Sequence, residues 1–201
     1  MSIDARFEKI SKYKNDDNII IPYRKTADSA GYDFYCAEDT VIFPAVDIGA
    51  DFLTKLSNKI SANSKNKEEA LTNWLNENKY LTLDEIAALN KEFNTKVNLI
   101  PTGIKCYLPH GYYLQLSVRS SLPLKHWLVM ANSIGVIDAD YYNNPDNEGH
   151  IYFQLINLGQ YPIIIKKGDC FGQGIILPYN VTNEDNTTAA RVGGFGSTGS
   201  K

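Results

Sequence analysis

A chain of 201 residues, 43% apolar and 21% charged, can bury one substantial core, which excludes disorder of the whole chain and leaves room for one domain carrying an insertion. The formal net charge of −3, with no dense run of Lys and Arg, supplies no field that would track a phosphate backbone, so no nucleic-acid partner is expected. Cys36, Cys106 and Cys170 are odd in number, far apart and without a CxxC pair, a usage that reads as buried free thiols in a reducing cytoplasm. Residues 1–13 lack the unbroken apolar stretch of a secretory signal, and no segment approaches the ~20 apolar residues that span a bilayer. The expectation is a soluble, cytoplasmic protein with no membrane partner.

In chain order, residues 19–44 carry short apolar runs divided by turn residues, as strands do. The spacing then changes. Over 46–96 the apolar positions Phe52, Leu53, Leu56 and Ile60, then Ala70, Leu71, Trp74 and Leu75, then Leu83, Ile86, Leu89 and Phe93 recur with helical period. Thr82 with Glu85, and Asn66 with Glu69, have the spacing of capping boxes. A helical hairpin or three short helices inserted in a β domain is predicted here. Residues 97–179 return to strand-length runs, with turn clusters at 108–111, 144–147 and 167–169. Strands are predicted over 112–118, 151–156, 161–166 and 171–177. The fold class is therefore all-β, a sandwich or jelly roll formed by 1–45 and 97–179 around the insertion. The polar, glycine-rich tail 180–201 cannot bury enough area to order itself and needs another surface to act on.

Three stretches carry chemistry. Arg119, Ser120 and Ser121 follow a predicted strand, where a guanidinium, two hydroxyls and freed N–H groups can hold phosphate oxygens; an exposed arginine beside turn serines has the same pattern. In 135–141 (GVIDADY) an apolar strand runs into Asp138 and Asp140, at alternate positions that place both carboxylates on one face, with Tyr141 following. A carboxylate at the end of a buried strand is costly unless paired or hydrated, which suits the positioning of water or metal; a polar turn is the plain alternative. In 193–199 (GGFGSTG) glycines permit close approach to a phosphate and Phe195 can stack on a base, although a disordered Gly/Ser tail reads the same. The stretch lacks the Gly-Lys-Ser/Thr of a P-loop, and that class is rejected.

Taken in order, 30–34 (AGYDF), 119–122 (RSSL), 132–141, 168–173 and 191–199 resemble the five motifs of the trimeric dUTPases. The resemblance implies a jelly-roll (β-clip) subunit, a homotrimer with active sites at subunit interfaces, Mg2+ as cofactor, and hydrolysis of dUTP to dUMP and pyrophosphate, which limits uracil in DNA and supplies dUMP. It implies that Asp138 orients the attacking water and acts as general base, with Gln173 holding the phosphate or water network. Arg119, Ser120 and Ser121 contact phosphates. Asn132, Gly135 and Ile137 belong to the segment that reads uracil, Tyr141 packs against the deoxyribose, and Asp33 supports the metal through water. The tail closes over the nucleotide from another subunit, with Phe195 and Gly196 above the uracil and Arg191, Ser197 and Thr198 on the phosphates.

The sequence departs from the pattern in places. Phe34 replaces the usual leucine, Cys170 and Gly172 replace more usual residues before Gln173, and Arg191 lies one residue nearer the glycine pair. The hairpin after Tyr141, through Glu148 and Gly149, is longer than the family's short turn, and Asp146 and Glu148 read as a solvated loop. His110, His126 and His150 are dispersed and read as turn or strand-edge residues. A dCTP deaminase shares the Arg-Ser-Ser pattern, but aligning on Asn157 places Gln154 where that enzyme needs a glutamate, and an amide cannot cycle a proton. A third reading makes the insertion, with Trp74, Leu75 and Phe93, the docking segment of a regulatory protein.

Overall fold

The computed structural model describes residues 3–42, 45, 98–159, 162–189, 191 and 193. All of these but residue 45 fall in the unit formed by Met1–Phe43 and Val97–Lys201; the second unit, Pro44–Lys96, contains the predicted helices, which lie outside the described residues. So do Phe195, Gly196, Ser197 and Thr198.

The described strands are β1 (Arg6–Lys9), β2 (Tyr32–Tyr35), β3 (Thr40–Ile42), β4 (Asn98–Pro101), β5 (Ile104–Tyr107), β6 (Tyr112–Val118), β7 (Leu128–Met130), β8 (Gly135–Ile137), β9 (Tyr152–Asn157), β10 (Ile163–Ile165) and β11 (Cys170–Pro178). Every pairing among them is antiparallel. They form a four-stranded sheet β2-β11-β6-β8, a three-stranded sheet β4-β9-β7, and the pairs β1-β5 and β3-β10. This is the all-β jelly-roll class that the strand-length runs predict, and β6 begins and ends where they place it.

Alternation explains the packing. In β6, Leu114 and Leu116 are buried on one face, and in β9, Phe153, Leu155 and Asn157 are buried on one face. Each such aliphatic or aromatic side chain contributes about 1.5–3 kcal/mol on leaving water. Phe34 of β2 meets Phe153 at 5.5 Å between ring centroids, and Phe153 meets Phe171 of β11 edge-on at 4.9 Å, joining the two larger sheets. Phe34 also packs edge-on against Phe7. The aromatic ring at this position thus packs between two others, Phe7 and Phe153. Gly172 is explained by the same cluster: a Cβ there would come within 2.4 Å of the Phe153 ring.

Sequence reasoning missed a short helix, α1 (Ser121–His126), between β6 and β7. Pro123 is tolerated near its start, where N–H groups have no helical partner, and the helix stops at Trp127, which takes φ 54°. Cys170 is only partly buried, a correction to the expectation that all three thiols are buried; Cys36 and Cys106 are. Residues 180–189 are exposed and carry neither strand nor helix, as their composition predicts. No described helix is long and apolar enough to cross a membrane.

Candidate active site

The predicted site residues fall into two groups on the four-stranded sheet. The first is a cross-strand row. Gln173 of β11 stands opposite Asp33 of β2 on one side and Ser117 of β6 on the other, so their side chains share one face. β6 then ends at the turn holding Arg119 and Ser120, anchored by the Arg119 N–H donating to the Phe171 carbonyl at 3.0 Å. Arg119 and Ser120 are exposed and make no side-chain hydrogen bond among the described residues, and Ser121 opens α1. Asp33 is buried, and its Oδ2 lacks a hydrogen-bond partner. Its neighbour Cys170 has its thiol pKa raised, first by burial and then by this carboxylate.

The second group follows β8. Gly135 pairs with Leu116 and Ile137 with Leu114, so the chain reaches Asp138 as it passes the start of β6, away from Arg119. Asp138 then precedes a 3-10 turn, Ala139–Tyr141, its carbonyl accepting from the Tyr141 N–H at 3.1 Å, in place of the straight strand end predicted. The two carboxylates nevertheless face a common cation. Arg191 Nη2 donates to Asp138 Oδ2 at 2.5 Å and Nε to Asp140 Oδ1 at 2.9 Å, while the guanidinium lies 5.5 Å from the Tyr141 ring centroid. The carboxylates are about half exposed, so each ion pair contributes no more than about 1 kcal/mol. Such a contact can exchange with a competing anion at little cost. The resemblance assigns Arg191 to phosphates; in this structure its partners are the two acids.

With a rise of about 3.4 Å per strand residue, Asp138 and Arg119 stand on the order of 20 Å apart within one chain. Asn132 lies between β7 and β8, in a turn where the Ile134 N–H donates to the Asn132 carbonyl at 2.7 Å and Ser133 takes φ 63°. Gly135 and Ile137 are buried in β8. One chain brings Asp138, Tyr141 and Arg191 together, and separately aligns Asp33, Gln173, Arg119 and Ser120. It does not bring the two groups together.

The segment from Tyr141 to His150, expected as a hairpin, is a loop that joins β8 to β9 in the other sheet, and it holds residues whose partners the sequence did not reveal. The Tyr141 ring is buried, and burial raises its pKa. Glu148 remains a partly exposed loop residue, yet it is engaged: its carboxylate accepts from the Ser11 N–H at 3.1 Å and the Ser11 hydroxyl at 2.8 Å, which lowers its pKa. Tyr142 donates to Glu8 at 2.8 Å. His150 is buried, accepts from the Gly103 N–H at 2.8 Å through Nε2, and has its pKa lowered to about 4 chiefly by burial. The available signal was the Asn-Asn-Pro-Asp-Asn run, which marks a turn but not what the turn holds. A cavity of about 600 Å3 beside this loop, lined in part by Lys12, Glu38, Asn147 and His150, contains none of the predicted site residues. Asn157, on which the deaminase alignment rests, is fully buried, with Nδ2 donating to the Ile42 carbonyl at 3.0 Å and Oδ1 accepting from Gly159.

Comparison with known proteins bears on the whole chain. The dUTPase family model matches residues 85–199, more than half of the sequence. The deoxyuridine 5'-triphosphate nucleotidohydrolase of Lactococcus lactis subsp. lactis is 36% identical over 195 residues, covering 96% of this chain and 96% of its own. The crystal structure of the dUTPase from Streptococcus mutans superposes with a TM-score of 0.61 at 32% identity, covering 89% of this chain and 98% of that one. A dUTPase from phage phi11 of S. aureus, described with a structural Mg(II) ion, shares the fold with a TM-score of 0.54 at 18% identity, covering 92% and 97% of the two chains. A family model spanning most of the β domain after the insertion, together with a relative matched almost end to end, places this chain in the dUTPase family.

Proposed function

We propose that this protein is a dUTP diphosphatase whose active site forms only between copies of the chain, in a homotrimer. The observation that carries the reading is the separation of the two residue groups. Asp138 has to reach the water that attacks the α-phosphorus, and Arg119 and Ser120 have to bind phosphate oxygens of the same nucleotide. Groups on the order of 20 Å apart in one chain cannot do both, whereas the Asp138 end of one copy and the Arg119 end of a neighbour can.

In this reading the Tyr141 ring packs against the deoxyribose and leaves no space for a 2'-hydroxyl. The segment with Asn132, Gly135 and Ile137 meets uracil. Asp138 accepts a hydrogen bond from the attacking water and takes its proton as the new oxygen–phosphorus bond forms. The bond from the α-phosphorus to the bridging oxygen breaks in line, and pyrophosphate leaves. Arg119, Ser120 and Ser121 hold the phosphates by charge-assisted bonds, and Gln173 orders the water network from the row beside Asp33. Arg191 leaves Asp138 and Asp140 for the phosphates, which frees Asp138 for the water. Phe195 and Gly196 cover the uracil while Ser197 and Thr198 join Arg191, a closure that excludes bulk water.

Among the described residues no group of three or more His, Cys, Asp or Glu could hold a metal ion. A Mg2+ ion carried in by the phosphates, which keeps several of its waters, fits this donor set, and the unpartnered Oδ2 of buried Asp33 suits a hydrogen bond from one of those waters. When bound, it offsets phosphate charge against the incoming oxygen. Mixing subunits tests the composite site. At dUTP concentrations well below KM, Asp138→Asn should be inactive alone and Arg119→Ala strongly weakened, yet activity there should rise when the two are unfolded and refolded together, because some interfaces then join two intact halves. No recovery in a mixture shown to contain hybrid trimers would overturn the reading.

A further inference from the structure

We infer that Asn147, in the long loop after Tyr141, is the positioning residue that sets the Tyr141 ring for selection of deoxyribose over ribose; this rests on the dUTPase reading above. The Tyr141 hydroxyl donates to the His150 carbonyl at 3.2 Å and accepts from Asn147 Nδ2 at 2.8 Å. The Asn147 amide cannot turn away. Its Oδ1 accepts from Asn144 Nδ2 at 2.8 Å and from the Gly149 N–H at 3.1 Å, so flipping the amide would break three bonds. Asn144 is buried and closes the loop, its Oδ1 accepting from the Asp146 and Asn147 N–H groups and its Nδ2 donating to the Tyr141 carbonyl at 3.3 Å. Gly149 takes φ +79° and passes so near the Tyr141 carbonyl that a Cβ would lie 2.5 Å from it. The ring is thus gripped at its carbonyl and at its hydroxyl by the same loop.

This arrangement gives the added loop residues a purpose. A steric gate discriminates only as well as its wall stays in place, since a ring that tilts by an ångström admits one more oxygen. The His150 carbonyl accepts from the hydroxyl on one side, and Asn147 donates to the same oxygen on the other. Ser11, in the 3-10 turn Ser11–Tyr13, binds the neighbouring Glu148, so the loop is also tied to a segment remote in sequence.

The test measures kcat and KM for dUTP and for UTP in the full-length protein and in Asn147→Ala, Tyr141→Phe and the double variant. A hydrogen bond of this kind has the strength to change the dUTP-over-UTP preference by up to about tenfold. The preference should fall in each single variant, with kcat for dUTP largely kept in Asn147→Ala. The double variant should discriminate no worse than Tyr141→Phe, because Asn147 then has no hydroxyl to hold. Additive losses would assign Asn147 a merely structural role. Full discrimination in Tyr141→Phe overturns the inference even if Asn147→Ala fails to fold. If the unaltered protein does not hydrolyse dUTP, the functional reading fails and takes the inference with it; dUTP hydrolysis with unmoved discrimination sinks the inference alone.

Discussion

The loop from Asp138 to His150 and the turn at Arg119 to Ser121 are both polar segments at the ends of the same sheet, yet they are built in opposite ways. The loop is held from many sides: Arg191 on its acids, Asn144 and Asn147 on its tyrosine, Ser11 on Glu148, Glu8 on Tyr142. The turn presents Arg119 and Ser120 to solvent without a side-chain partner among the described residues. Fixed geometry suits recognition of a nucleoside by shape, where a small displacement abolishes discrimination. A charged group on open turn backbone suits phosphate, whose attraction is strong and tolerant of direction.

The largest effect should come from removing the acid. Asp138→Asn is expected to lower kcat by about a hundredfold or more, the range for a general base, while dUTP binding by calorimetry survives. Normal turnover would move the chemistry off this loop. Arg119→Ala comes next, with kcat/KM reduced ~10- to 100-fold, carried mainly by KM, and an unchanged melting temperature because the side chain holds nothing in the folded chain. A melting temperature that falls with activity would erase the contrast between the two regions.

Gly149→Ala should behave in the reverse manner. A Cβ forced against the Tyr141 carbonyl at φ +79° costs about 1–3 kcal/mol, read as a lower denaturant midpoint, with loosened selection against UTP. A further effect, of similar size, is a pH dependence. Burial holds His150 near 4, below its ordinary value of 6.5, with Lys12 pushing the same way and Glu38 and Glu148 opposing. Below about 6.5 the unfolded chain takes a proton that the folded chain refuses, so stability present above that pH should decline toward 4, by at most about 1.4 kcal/mol per pH unit. His150→Gln, which keeps an acceptor for Gly103, should flatten that slope in denaturant titrations at pH 7 and pH 5; an unchanged slope would assign the acid sensitivity elsewhere.

The strands were legible because alternation is a local signal. Tyr112 to Val118 shows it within seven residues, and the structure forms β6 over that span. The motif residues were legible because their types and order survive any arrangement in space. Helix α1 was not, since six residues around Pro123 have too little periodicity to announce themselves and are held between two strands instead. Nor could the sequence reveal that Gly172 makes room for Phe153, that Glu148 answers to Ser11 from the far end of the chain, or that His150 is kept neutral by what surrounds it.

By itself, then, the order of residues determined an all-β domain and the set of groups available for binding and hydrolysing a nucleotide. Only the tertiary structure decided their company. Register along β6 and β8 sends Asp138 and Arg119 to opposite ends of one sheet, and hydrogen bonds between segments remote in sequence hold Tyr141 still. The reason is physical: side-chain type and local spacing act over a few residues, whereas distance, burial and the partner of each polar atom are properties of strands that meet only after the chain has folded.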